Sequence, residues 1–206
     1  MNKQIKNHLV NQSEICVVGL GFVGLTLGLV LSEAGFKVLG IDKFKTVIDN
    51  INNKKTHFYE KGLVELLESE LKNGFSCSHE IDKAGDCNVY IIAVGTPVKE
   101  DNQPNFQDLE NATKDIGKIL KKDDLVILRS TVPIGVTRNF VIPILEKESG
   151  LNISKDFFVA FAPERTVEGE AINELKVLPQ IIGGYNKLSA DKAAVIFDSL
   201  DRKSVV

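Results

Sequence analysis

The sequence predicts a doubly wound α/β domain with a mainly parallel sheet, and two observations carry that prediction. Short apolar runs that read as strands alternate with segments of helical spacing from Ile15 to Leu200. The first run, Ile15-Cys16-Val17-Val18, opens directly into Gly19-Leu20-Gly21-Phe22-Val23-Gly24, three glycines in G-x-G-x-x-G spacing ahead of an apolar segment.

Taken in order, residues 1–13 are polar and are expected to form a short arm, with one domain over 14–206. Each glycine after the first strand has a physical task. Gly19 makes the tight turn, Gly21 lets a pyrophosphate approach the backbone, and Gly24 lets the helix pack against the strand. The free N–H groups of the first helical turn, at Phe22 and Val23, then receive the anion. That helix is predicted over 22–34. After Gly35, the run Phe36 to Ile41 reads as a second strand ending in Asp42, eighteen residues past Gly24. A carboxylate there can accept the hydroxyls of an adenosine ribose and repels a 2′-phosphate. The expected fold is thus a Rossmann-type dinucleotide-binding domain, and the expected cofactor is NAD rather than NADP. Lys43 and Lys45 weigh the other way, since either could swing towards a phosphate.

A helix is predicted over 45–52, and Thr56 to Gly62 breaks the pattern. Leu63, Leu66, Leu67 and Leu71 resume helical spacing. A short strand near Phe75-Ser76-Cys77 and a small helix around 80–84 follow. Asn88 to Val94 reads as a central strand buried on both faces, ending at Gly95-Thr96-Pro97. An amphipathic helix is predicted over 106–120, a strand from Leu125 to Ser130, and a helix over 136–147. Phe157 to Phe161 is a further strand, tipped by Pro163-Glu164-Arg165-Thr166-Val167-Glu168-Gly169. The tail carries Gln180 to Gly184 as a strand, a helix over 190–200, and the beginning of another strand at Ser204-Val205-Val206.

With 206 residues, 43% hydrophobic and 26% charged, the chain can bury a sizeable core. A net charge of −3 gives no general attraction to nucleic acid or to an anionic membrane, so neither is expected as a partner. No apolar run approaches bilayer-spanning length, and the polar start Met1-Asn2-Lys3-Gln4 does not read as a signal peptide. Cys16, Cys77 and Cys87 sit in or beside apolar segments without metal-ligand spacing. They read as buried thiols in a reducing cytoplasm, and no metal is expected. His8, His57 and His79 read as surface residues.

Every unusual polar group follows a strand end: the glycine loop, Asp42, Thr96-Pro97, Ser130-Thr131 and Pro163 to Glu168. Right-handed crossovers bring those ends to one edge, where ligands bind. Singly, Thr96 or Thr131 reads equally well as a helix cap, and Glu164 and Glu168 as solvated loop charges.

These motifs together resemble the amino-terminal part of the nucleotide-sugar 6-dehydrogenases, the UDP-glucose and UDP-N-acetylhexosamine dehydrogenase family. The matching pieces are the glycine loop, Tyr59-Glu60-Lys61-Gly62-Leu63 with Glu65-Leu66-Leu67, and Val94-Gly95-Thr96-Pro97. Arg129-Ser130-Thr131-Val132-Pro133, Pro163-Glu164-Arg165, Glu174-Leu175, Leu178-Pro179-Gln180 and Gly183-Gly184 complete them. The resemblance implies that the backbone at Phe22 and Val23 holds the pyrophosphate and Asp42 the ribose, with Thr96 and Thr131 lining the nicotinamide half. It makes Glu164 the general acid/base or water-positioning glutamate. Glu168 is a second carboxylate that only some relatives share. It gives Arg165 and Thr166 contacts to the nucleotide sugar. The arginine after Pro163-Glu164 is similar to the N-acetylhexosamine branch, so the implied substrate is a UDP-N-acetylhexosamine oxidised at C6 to the uronate.

One departure stands out. In the family, the two oxidations pass through a thiohemiacetal on a cysteine in a glycine-rich loop, and none of the three cysteines here has that context. The family's lysine and asparagine on a long central helix, which also builds its homo-oligomer, have no match. The chain thus resembles a cofactor-binding domain without its catalytic partner, expected to be inactive alone and free to be a monomer. The alternative is a non-catalytic NAD-binding or regulatory module.

Overall fold

The computed structural model describes residues 14–153, 155–200 and 204–205, so the predicted arm over 1–13 lies outside the described residues. The main sheet has seven strands in the order β3-β2-β1-β4-β5-β6-β8. They are β1 (Glu14–Val18), β2 (Lys37–Ile41), β3 (Phe75–Ser78), β4 (Val89–Ile92), β5 (Leu125–Leu128), β6 (Phe158–Phe161) and β8 (Gly183–Gly184). The first six are parallel, and β8 closes the edge antiparallel to β6. The order reverses direction between β1 and β4, and a doubly wound sheet opens its ligand crevice at such a switch.

Period-2 alternation sends each strand's side chains to two separate cores. Ile15, Val17, Ile91 and Ile127 pack under α1 (Phe22–Glu33), α3 (Leu63–Asn73) and α7 (Lys187–Asp198). Cys16, Val18, Ile92 and Leu128 pack under α4 (Gln107–Ile119) and α5 (Ile142–Ser149). Helix α1 is buried continuously from Gly24 to Ser32, which explains why it is apolar all round rather than amphipathic. Helix α2 (Lys45–Asn52) and the short 3₁₀ turn Ile81–Ala84 stand where the sequence places helices.

Three differences from the sequence reading have local causes. The run 180–184 is not one strand. Gln180–Ile181 (β7) pairs in parallel with Ser204–Val205 (β9) in a separate two-stranded sheet, and Ile182 turns the chain into β8. The predicted helix over 136–147 opens instead with a π-helical turn at Thr137–Val141. Pro143, in the first turn of α5, has no N–H to give to the carbonyl four residues back, so the turn before it widens. A seven-residue helix α6 (Ala171–Val177) was hidden by the polar run preceding it.

Candidate dinucleotide site at the strand ends

The glycine loop takes its shape from close backbone approach. Gly19 has a φ of +93°, and its N–H donates to the Ile41 carbonyl at 2.7 Å, tying the tips of β1 and β2. A Cβ on Gly24 would stand 1.7 Å from the Gly19 carbonyl oxygen, so only glycine lets α1 pack this close to β1. Gly21 is different in kind. It has an ordinary φ of −70°, and a Cβ there would meet nothing within 4 Å. The first hydrogen bond of α1 runs from the Leu25 N–H to the Gly21 carbonyl at 3.0 Å. The N–H groups of Phe22, Val23 and Gly24 therefore have no helical acceptor and point out of the helix N-terminus. The open ground at Gly21 and these donors fit a pyrophosphate.

Beside the loop lies a cleft of about 420 Å³ lined by Gly21, Asp42, Phe44, Val94, Gly95 and Asn111, among others. Asp42 is only 9% exposed. Its Oδ2 accepts the Leu20 N–H at 2.8 Å and its Oδ1 the Phe44 N–H at 2.9 Å. The carboxylate thereby fixes the glycine loop against the β2 tip, and each oxygen keeps acceptor capacity towards the cleft. Such a pair of carboxylate acceptors fits the hydroxyl donors of an adenosine ribose. His57 and His79 are exposed, as the sequence suggests, yet both line this cleft. Their assignment as plain surface residues is therefore incomplete.

The other half of the edge is held by a residue that the sequence reading quoted only as part of a motif. Arg129 follows β5 and is 1% exposed. Its Nη1 donates to the Ala162 carbonyl and to Gln180 Oε1, both at 3.0 Å, and its guanidinium lies 5.3 Å from the Phe197 ring centroid. Its Nε and Nη2 both donate to Glu164 Oε2, the former at 3.0 Å. Glu164 Oε1 accepts the N–H groups of Arg165 at 2.6 Å and Thr166 at 2.9 Å. Burial pushes the Glu164 carboxyl upward. The Arg129 charge and the two backbone donors outweigh that, and the group is held below the ordinary glutamate value. Glu164 is thus kept ionised, suited to orienting a water or hydroxyl and a weak proton acceptor at neutral pH.

Thr96 and Thr131 meet, but through backbone: Thr96 Oγ1 donates to the Thr131 carbonyl at 2.7 Å, bridging the tips of β4 and β5. Neither lines the cleft beside the glycine loop. Arg165 and Glu168 are exposed, and the Arg165 guanidinium donates to the Pro179 carbonyl at 3.2 Å. Glu60, also unassigned by the sequence reading, is buried and accepts the Gly169 N–H at 2.6 Å, tying the loop after β6 to the segment before α3. A charge at the end of the apolar run Leu125 to Leu128 was the available signal for Arg129.

The thiols are poorly disposed to act as nucleophiles. Burial, with Cys87 nearby, raises Cys16 well above the usual thiol value. Burial pushes Cys77 up to about 11, and burial with the charges of Glu14 and Asp86 pushes Cys87 to about 11. No helix among the described residues is long and apolar enough to cross a membrane.

With this geometry in place, the likenesses to known proteins are informative. Residues 13–201 match the model of the UDP-glucose/GDP-mannose dehydrogenase family, NAD binding domain. A UDP-N-acetyl-D-mannosamine dehydrogenase of Campylobacter jejuni is 35% identical over 192 residues, covering 90% of this chain and 47% of that protein. A GDP-mannose 6-dehydrogenase of Pseudomonas syringae pv. tomato is 36% identical over 195 residues, covering 91% and 44%. The solved UDP-D-ManNAc dehydrogenase of Pyrococcus horikoshii superposes with a TM-score of 0.89 at 32% identity, covering 93% of this chain and 46% of that one. The chain spans less than half the length of each of these relatives.

Proposed function

The chain belongs to the UDP-glucose/GDP-mannose dehydrogenase family as its NAD-binding domain, and from that premise we propose that it is the cofactor half of a UDP-N-acetylhexosamine 6-dehydrogenase. The single observation carrying the cofactor side is the open Gly21 beside a backbone-anchored Asp42. When bound, NAD supplies the hydride acceptor for oxidation of the sugar C6 alcohol. The chain's own residues do the rest of what this half contributes. Phe22 and Val23 N–H groups hold the pyrophosphate, and Asp42 holds the ribose. Glu164, fixed by Arg129, orients a water or the sugar hydroxyl, while Arg165 and Thr166 face the nucleotide sugar.

The substrate class is supported by Arg165 after Pro163-Glu164 and by the N-acetylhexosamine names among the relatives; the GDP-mannose relative is the competitor. Complete turnover by this chain alone is not expected, because none of its thiols supplies a thiolate near neutral pH. Calorimetry should show NAD binding, then tighter binding of UDP-N-acetylglucosamine or UDP-N-acetylmannosamine than of GDP-mannose to the NAD-loaded chain. The chain with NAD and UDP-sugar should give no uronate by mass spectrometry. Preference for GDP-mannose would overturn the substrate class, and uronate formation would overturn the dependence on a further cysteine.

A further inference from the structure

We propose that Asp108 is a specificity-positioning residue: by holding Lys43 across the mouth of the adenosine cleft, it withholds one of the two β2-tip lysines from the 2′-phosphate of NADP. Lys43 directly follows Asp42 at the β2 tip, the place where a lysine most readily reaches a 2′-phosphate. In the structure its Nζ is paired instead with Asp108 Oδ1 and lies 4.9 Å from the centroid of the Phe44 ring. Asp108 comes from the first turn of α4, sixty-five residues away, so the pair joins opposite walls of the cleft. Lys43, Asp108 and Asp115 all line that cleft. Asp115 is occupied by Lys118 at 2.7 Å, leaving Asp108 as the carboxylate that takes Lys43.

NADP discrimination on this view has two parts. Asp42 repels the phosphate, and Asp108 removes a counter-charge at the β2 tip that would offset that repulsion. The competing account gives Asp108 only a local task, a favourable charge at the N-terminus of α4. The two accounts separate by experiment. A helix-terminus charge alters stability without altering the ratio of cofactor affinities.

The test is Asp108→Asn, an isostere, in the intact chain, with NAD and NADP titrated calorimetrically at low and high salt. The pair is half-exposed, with side-chain exposures of 56% and 36%, so its coupling is modest. At about 1 kcal/mol or less, freeing Lys43 should move the NADP-to-NAD affinity ratio about three- to fivefold towards NADP at low salt. High salt should shrink the shift. Adding Lys43→Met to Asp108→Asn should cancel it. An unchanged ratio in Asp108→Asn, or a shift that persists in the double variant, overturns the proposal. If the wild-type chain bound neither cofactor, the cofactor reading would fall first and this proposal with it.

Discussion

Gly21→Val isolates the cofactor site from the fold. In the free protein a Cβ at residue 21 meets nothing within 4 Å, and a φ of −70° suits any L-residue. Valine is a poorer helix N-cap than glycine, so a loss of stability up to about 1 kcal/mol is expected, with the sheet and α1 intact. The cost falls on the ligand, because the branched side chain fills the ground over which the pyrophosphate must pass. Losing two charge-assisted bonds from the Phe22 and Val23 N–H groups, at about 1.5–3 kcal/mol each, weakens NAD binding by more than a hundredfold. The assay is calorimetric titration of NAD beside thermal unfolding of the same sample. Gly24→Ala is the contrasting variant: its Cβ would sit 1.7 Å from the Gly19 carbonyl oxygen, so it should fold poorly or not at all. Near wild-type affinity in Gly21→Val would refute the placement of the pyrophosphate.

Two further variants test the charges the fold has buried. Asp124 is 3% exposed, and burial raises its carboxyl from 3.8 to about 6, so the folded state favours its neutral form. Its stabilising effect is full below about pH 4 and is lost as pH rises through 6. Asp124→Asn should therefore stabilise the chain by about 1–3 kcal/mol at pH 7.5 and by almost nothing at pH 4, measured by denaturant unfolding at both pH values; equal effects at the two would contradict it. Arg129→Met leaves Glu164 buried without its counter-charge, which should cost about 3–5 kcal/mol in thermal unfolding. Adding Glu164→Gln should restore part of that loss, and no restoration would mean that the two side chains act independently.

Legibility followed sequence distance. The glycine loop, α1, β2 and Asp42 were readable because their chemistry is local: a turn, a helix start and a strand tip, all between Gly19 and Phe44. The parallel strands were readable because burial on both faces leaves unbroken apolar runs such as Tyr90 to Ile92 and Leu125 to Leu128. The split at Ile182 was not, since two-residue strands carry no period and their partners lie in β6 and β9. Arg129 was quoted within a motif but given no task, because its partners Ala162, Glu164 and Gln180 are more than thirty residues away. The Lys43–Asp108 pair was missed for the same reason, and the sequence left Lys43 free to turn either way.

The two halves of the ligand edge are therefore built on different principles. The half at the glycine loop rests on one contiguous βαβ unit, in which Asp42 locks that loop. The other half is tied by one buried guanidinium that reaches the ends of β5, β6 and β7 at once. Glu164 is consequently positioned by groups within this chain: Arg129 on one oxygen, the Arg165 and Thr166 N–H groups on the other. Neither set depends on polypeptide beyond the domain. A carboxylate so restrained has little freedom to shuttle protons, but it presents a fixed negative acceptor at the strand-end edge. The division is physical: one half is a loop and a carboxylate set for a cofactor, the other an oriented acceptor, and burial leaves Cys16, Cys77 and Cys87 poorly disposed to act as nucleophiles beside them.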